Sequence, residues 1–159
     1  MKLNFLFPGK TKEAFLAQGI SAYIKRLKPM VETNEIIFKT SSAPSESNPA
    51  SESLVRAREA SQLLERCGAG EYLIVLDSRG ELLSSTALAE KFEQLRLSAV
   101  KTVNLVVGGH WGIDDNLLAK ANLRLSLGPM TYPHELARLI ILEQVYRAFT
   151  ILNHIPYHK

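Results

Sequence analysis

The sequence holds one cysteine, Cys67, in 159 residues. One thiol cannot close an internal disulfide or supply a cysteine-based zinc site, and it points to a reducing compartment, here read as the cytoplasm. No apolar run approaches the roughly 20 residues that span a bilayer, so no membrane partner is expected. The opening Met1-Lys2-Leu3-Asn4-Phe5-Leu6-Phe7-Pro8 has too short an apolar stretch for a signal peptide and reads as a first strand. Three cofactor fingerprints are missing: G-x-G-x-x-G after the first strand, G-x-x-x-x-G-K-[ST], and H-E-x-x-H. A nicotinamide enzyme, a P-loop NTPase and a zinc protease are disfavoured, and no metal is expected. No internal repeat is present.

A composition of 46% hydrophobic and 22% charged residues suits one well-buried core, and residues 1–159 are expected to form a single domain. The net charge of +3 is unevenly spread: residues 1–28 sum to +5, 29–115 to −5 and 116–159 to +3. His134, His154 and His158 also fall in the last segment. Basic ends flanking an acidic middle are where RNA would be met; DNA is not an expected partner.

Hydrophobic periodicity gives alternating strands and helices. Lys2–Phe7 is a strand stopped by Pro8-Gly9, and Thr11–Leu27 has helical spacing at Phe15, Leu16, Ile20, Tyr23, Ile24 and Leu27 before Pro29. Val31–Lys39 is a second strand, Thr40–Ser51 a Ser- and Pro-rich loop, and Glu52–Cys67 a helix ended by Gly68. Tyr72–Leu76 and Val103–Val107 are continuous apolar runs of the buried parallel type. Between them, Ser84 or Ser85 caps a helix to about Leu97. Asp114 or Asp115 starts a short helix to Lys120, Leu123–Ser126 is a last strand, and Pro133 fits the first turn of a helix reaching Thr150. The alternation predicts an α/β protein with a parallel sheet flanked by helices.

Ligands of such sheets bind beyond the carboxyl ends of the strands. Three of those ends stand out: Leu76-Asp77-Ser78-Arg79-Gly80, Gly108-Gly109-His110-Trp111-Gly112, and Ser126-Leu127-Gly128-Pro129-Met130-Thr131-Tyr132-Pro133-His134. Glycines let a ligand approach the backbone, whose amides and carbonyls can read an adenine edge. Taken singly, a Gly-Gly is more often a plain turn, and Asp77 a turn residue. His134 and Arg138 lie at i and i+4, on one helix face at the mouth of the third loop; spacing alone leaves a helix-start histidine and a solvated arginine as the plainer account. Glu143 and Arg147 share that spacing and read as an ion pair. The last helix is apolar over more than half its circumference, which suggests one face in its own core and another against a second copy. The tail Ile151–Lys159 carries aromatic, imidazole and cationic groups suited to RNA.

Together and in order, the Leu76-Asp77 pair with Gly80, Gly108-Gly109 with Gly112, Met130-Thr131-Tyr132-Pro133-His134, Glu143-Gln144-Val145-Tyr146-Arg147-Ala148 and the closing Tyr157-His158-Lys159 carry a resemblance. The chain resembles, over its whole length, the bacterial ribosomal RNA large subunit methyltransferase H family. These are SPOUT-class enzymes that methylate N3 of a pseudouridine in helix 69 of 23S rRNA. The resemblance implies a homodimer, a SPOUT-type sheet with a C-terminal deep trefoil knot, and S-adenosylmethionine bound bent in the knot. By match to the motifs, Leu76, Gly108, Leu127, Gly128, Pro129, Met130, Thr131 and Tyr132 would line the cofactor site. Two departures stand in this chain: Gly128-Pro129 where relatives often begin with Ser, and Phe7-Pro8-Gly9-Lys10 where Val-Gly-Lys is common.

The implied substrate sets the chemistry. An imide N–H must lose its proton as the lone pair attacks a sulfonium methyl, which calls for in-line positioning and stabilisation of a developing anion. Arg138 is the candidate for that electrostatic role. His134 or His158 is the candidate proton acceptor, an ordinary imidazole titrating at about pH 6.5. Tyr157 and His158 are expected to act on the partner subunit's site. The ribosome, with an RNA surface already shaped, is the expected docking partner. The rival readings are a SPOUT ribose 2′-O-methyltransferase acting on tRNA and a non-catalytic ribosome-binding module.

Overall fold

The computed structural model describes residues 1–38 and 48–159. Its strands are β1 (Lys2–Pro8), β2 (Glu32–Phe38), β3 (Tyr72–Leu82), β4 (Thr102–Val106) and β5 (Leu123–Ser126). Its helices are α1 (Ala14–Leu27), α2 (Pro49–Leu64), α3 (Ser85–Leu97), α4 (Asp115–Lys120) and α5 (His134–Leu152). All strand pairs are parallel, in the order β2-β1-β4-β3-β5.

Alternation along the strands sorts the core into two layers. Leu3, Phe5 and Phe7 of β1 face one side with Ile74, Val103 and Leu105, against buried residues of α1, α3 and α5. Leu6, Leu73, Val75 and Val106 face the other, against α2 and α4 through Ala60, Leu63, Leu117 and Leu118. In this second layer the buried Asn4 pairs in register with Asn34 and Asn104. Asn34 Nδ2 donates to Asn4 Oδ1 (3.2 Å), Asn4 Nδ2 to Asn104 Oδ1 (2.9 Å), and Asn104 Nδ2 to Glu71 Oε2 (2.6 Å). A one-residue slip would bury these amides unpaired, so the row pins β1 between β2 and β4.

Several element boundaries move from the sequence expectation: α1 begins at Ala14, not Thr11, and α2 and β3 change more. The helix expected from Glu52 begins at Pro49: Asn48 caps it through Ser51 N–H (2.9 Å), Ser51 Oγ returns the bond to Asn48 N–H, and Pro49 takes the first position, where no amide is needed. It stops at Leu64, and Cys67 lies in the turn beyond. The expected loop Thr40–Ser51 otherwise lies largely outside the described residues. β3 does not end at Leu76; both Leu76 and Glu81 pair with Leu125, so residues 77–80 bulge out between them.

Candidate active site

The three loops singled out by the sequence meet at the carboxyl edge of β3, β4 and β5. They enclose a cavity of about 270 Å³ lined by Leu76, Gly108, Leu127, Gly128, Met130, Thr131 and Tyr132. Pro129 is not among its lining residues. Val107, Ile113, Leu118 and Leu125 add an apolar wall, and Ala137 and His134 of α5 close one side. Ile113, just before the short α4, and Leu118, on it, were missed because their apolar side chains read as core; no spacing marks them.

Backbone geometry shapes each loop. Gly80 fits where a Cβ would lie 2.6 Å from the backbone carbonyl of Arg124, so the bulge can close on β5 only without a side chain. Gly128 has φ +117°, open to glycine but strained for any other residue, and a Cβ there would meet nothing within 4 Å. A Ser at this position, which the resemblance associates with many relatives, would be strained in this conformation. Its hydroxyl has a counterpart two residues earlier: Ser126 Oγ accepts from Gly128 N–H (3.2 Å) and donates to Ser78 O (3.2 Å), tying the third loop to the bulge. Asp77 is a turn residue as well as a wall of the cavity. Burial raises its pKa, but the Arg79 amide (3.1 Å) and guanidinium (3.1 Å) outweigh this and hold it below the usual carboxylate range.

A second cavity, of about 410 Å³, lies on the other side of Gly109 and His134, which border both. Its walls are the β1–α1 loop with Pro8, Lys10 and Lys12, the side chains of His110 and Trp111, and Glu59 of α2. The rings of His110 and Trp111 meet edge to face, 4.8 Å between centroids. Arg56 Nη1 donates to Trp111 O (3.4 Å), so α2 holds the glycine loop.

Arg138 and His134 sit one turn apart as expected, but they do different things. Arg138 is not solvated: it is fully buried, over the Phe7 ring, and donates to Pro8 O, Gly9 O (3.1 Å) and Thr11 Oγ1 (3.1 Å). Its guanidinium therefore braces the wall of the second cavity and is not among the lining residues of either. Glu135 completes the brace by accepting the amides of Lys12 (3.0 Å) and Glu13 (3.2 Å). His134 is held below its ordinary pKa by burial, then by the charge of Arg138, so at neutral pH it is an uncharged donor and acceptor.

The tail folds back on its own subunit. Tyr157 packs edge to face on Tyr146, donates to Glu143 Oε1 (3.0 Å) and lies 3.4 Å from Tyr23 OH, with Arg147 over its ring. Burial and the bonds to Tyr23 and Glu143 push its phenol well above its ordinary pKa, so it stays protonated. Glu143 and Arg147 form the expected ion pair. Tyr157 and His158 line neither cavity.

A parallel α/β sheet with a loop-lined cleft at its carboxyl edge is the arrangement in which open α/β proteins bind small ligands. Comparisons with known proteins agree. The family described as "Predicted SPOUT methyltransferase" matches residues 1–158. Proteins named ribosomal RNA large subunit methyltransferase H are similar over 159 residues, 100% of both chains: 42% identical in Acetivibrio thermocellus and 40% in Ruminiclostridium cellulolyticum. A probable methylase family protein from Haemophilus influenzae shares the fold at TM-score 0.51 and 14% identity, over 96% of this chain and 66% of that one. The chain belongs to the ribosomal RNA large subunit methyltransferase H family of SPOUT methyltransferases.

Proposed function

We propose that this methyltransferase uses S-adenosylmethionine to methylate N3 of a pseudouridine in helix 69 of 23S rRNA, in the cytoplasm and on the assembled ribosome. The observation that carries the reading is the pair of adjoining cavities divided by Gly109: one formed by the three strand-end loops, the other flanked by lysines, histidines and a tryptophan. The first fits the cofactor. A side chain at Gly128 would project into open space there, so the loop conformation leaves room for a ligand against backbone. Leu76, Gly108, Leu127, Gly128, Met130, Thr131 and Tyr132 would hold it, with Pro129 shaping the loop. Bound there, S-adenosylmethionine supplies an electrophilic methyl group.

The second cavity suits a flipped base and its phosphates, with Trp111 for stacking and Lys10 and Lys12 for charge. His134 stands where base and cofactor meet and can hydrogen-bond the base. Arg138 acts through the β1–α1 loop it braces, and its buried positive charge lies behind that wall. Tyr157 and His158 would serve the neighbouring site of a homodimer, in which the half-buried apolar remainder of α5 is covered. The segment from Leu127 to Pro133 would thread the trefoil knot.

The test is incubation with labelled S-adenosylmethionine and assembled ribosomes, free 23S rRNA or tRNA, with the methyl group located by mass spectrometry. N3-methylpseudouridine on ribosomes is the expected product. A ribose 2′-O-methyl on tRNA would replace this reading with the other SPOUT activity, and no transfer to any substrate would favour a binding module.

A further inference from the structure

Glu59 is an anomaly of the core. It is 6% exposed, on the inner face of α2, and among the described residues it has no hydrogen bond or ion pair. Its carboxylate oxygens are not among the fully buried unpaired atoms of the described residues, so they open onto the cavity that Glu59 lines and are free to accept from a ligand. The carboxylate lies against Gly109, where a Cβ would come 3.0 Å from Glu59 Oε2 and 3.4 Å from Pro8. Gly109 is the partition between the two cavities, so the carboxylate stands in the second cavity beside the border with the first.

Resting on the N3-methylation reading, the geometry points to Glu59 as the group that recognises the imide N–H of the target base and takes its proton. A carboxylate only accepts hydrogen bonds, and an imide nitrogen is the one donor on that base edge, between two carbonyl acceptors. As the N–H bond breaks, its proton passes to the Glu59 carboxylate. The electron pair forms the new N–CH3 bond, and the pair of the old C–S bond stays on the donor's sulfur. Charges balance: a cationic donor and a carboxylate become a neutral thioether and a carboxylic acid. Burial lifts the Glu59 pKa above the ordinary carboxylate range, which brings its basicity closer to that of the imide. The other titratable groups around it are Lys10 and Lys12 from the β1–α1 loop, His110 from the glycine loop, and His134 and Glu135 from α5, with Arg56 of α2 and Asp114 in the small pocket that Glu59 also lines.

Glu59→Gln and His134→Asn are compared with the wild type in four measurements: turnover on ribosomes against pH, cofactor binding by calorimetry, melting temperature, and RNA binding. Trp111 is the sole tryptophan of the chain, so its fluorescence reports filling of the second cavity by a pseudouridine hairpin or by the same hairpin already methylated at N3. Glu59→Gln is expected to lower turnover about 100-fold or more and remove the acidic limb of the pH profile. It should leave cofactor affinity within about twofold and the melting temperature within about 2 °C of wild type, since the carboxylate has no protein partner to lose. Wild type should prefer the unmethylated hairpin by about tenfold, and the variant should lose that preference. The proposal is overturned by near-wild-type turnover in Glu59→Gln, by an acidic limb lost in His134→Asn but kept in Glu59→Gln, or by lowered stability or cofactor binding in Glu59→Gln, which would make the residue structural. Failure of the wild type to methylate N3 would instead remove the underlying reading, before any variant is compared.

Discussion

Glu135 shows how far a single side chain can be read. Its acidity is decided by opposed effects: burial raises its pKa, while the amides of Lys12 and Glu13, then Arg138 and His134, outweigh that and lower it below the usual range. A carboxylate depressed in the folded state stabilises the fold at every pH above its unfolded value, about 4.3, and loses that contribution as pH falls through the folded value. Glu135→Gln is therefore expected to lower stability at pH 7 by about 1–2 kcal/mol, in urea titrations, with the gap to wild type narrowing towards pH 3. A gap that stays constant across that range would refute the account. The helical spacing of His134 and Arg138 was legible in the sequence, because i and i+4 always share a face. What Arg138 grips was not: Pro8, Gly9 and Thr11 lie at the other end of the chain, and a buried arginine and a solvated one look alike in a pattern of residue types.

The strands and helices were legible wherever periodicity spoke, and the misplacements have physical reasons. At α2 a proline and serines suggested a loop, whereas Asn48-Pro49-Ala50-Ser51 is a capped helix start, in which those same residues are favoured. At β3 the apolar run stops at Leu76 and Asp-Ser-Arg-Gly looks like a turn; the chain instead bulges and rejoins β5 through pairing that only the neighbouring strand can supply. That bulge forms a wall of the cavity proposed for the cofactor, so its closure is testable. Gly80→Ala would press a methyl group onto the Arg124 carbonyl carbon and oxygen at 2.6 Å and onto Leu125 N at 2.9 Å. Backbone cannot give way there as a side-chain tip could. The expected result is a loss of about 1–3 kcal/mol of stability and at least about tenfold weaker S-adenosylmethionine binding by calorimetry. Unchanged affinity would mean that the bulge does not shape the cofactor site.

At the scale of the whole molecule, the meeting of three distant loops was expected from the parallel sheet and the family resemblance, but the division into two cavities was not. It depends on Gly109, which borders both cavities and has no side chain to push against Glu59 and Pro8, a placement that no residue count reveals. The tail raises a different question. Tyr157 is fastened to Tyr23, Glu143 and Tyr146 of its own subunit and borders neither cavity there, so a catalytic role requires a second copy. Two damaged subunits can decide this. One lacks Tyr157 to Lys159 and keeps its cavities; the other keeps its tail and carries Gly80→Ala. At an S-adenosylmethionine concentration too low to fill the weakened Gly80→Ala pocket, each variant alone should turn over slowly, the first still binding S-adenosylmethionine, if the proposed homodimer shares its sites. Random mixing makes about half the dimers mixed, each with one site that combines an intact pocket with an intact tail, so about a quarter of all sites should recover turnover. Tails working on their own subunit would give no recovery, because every pocket that is intact would still lack its tail.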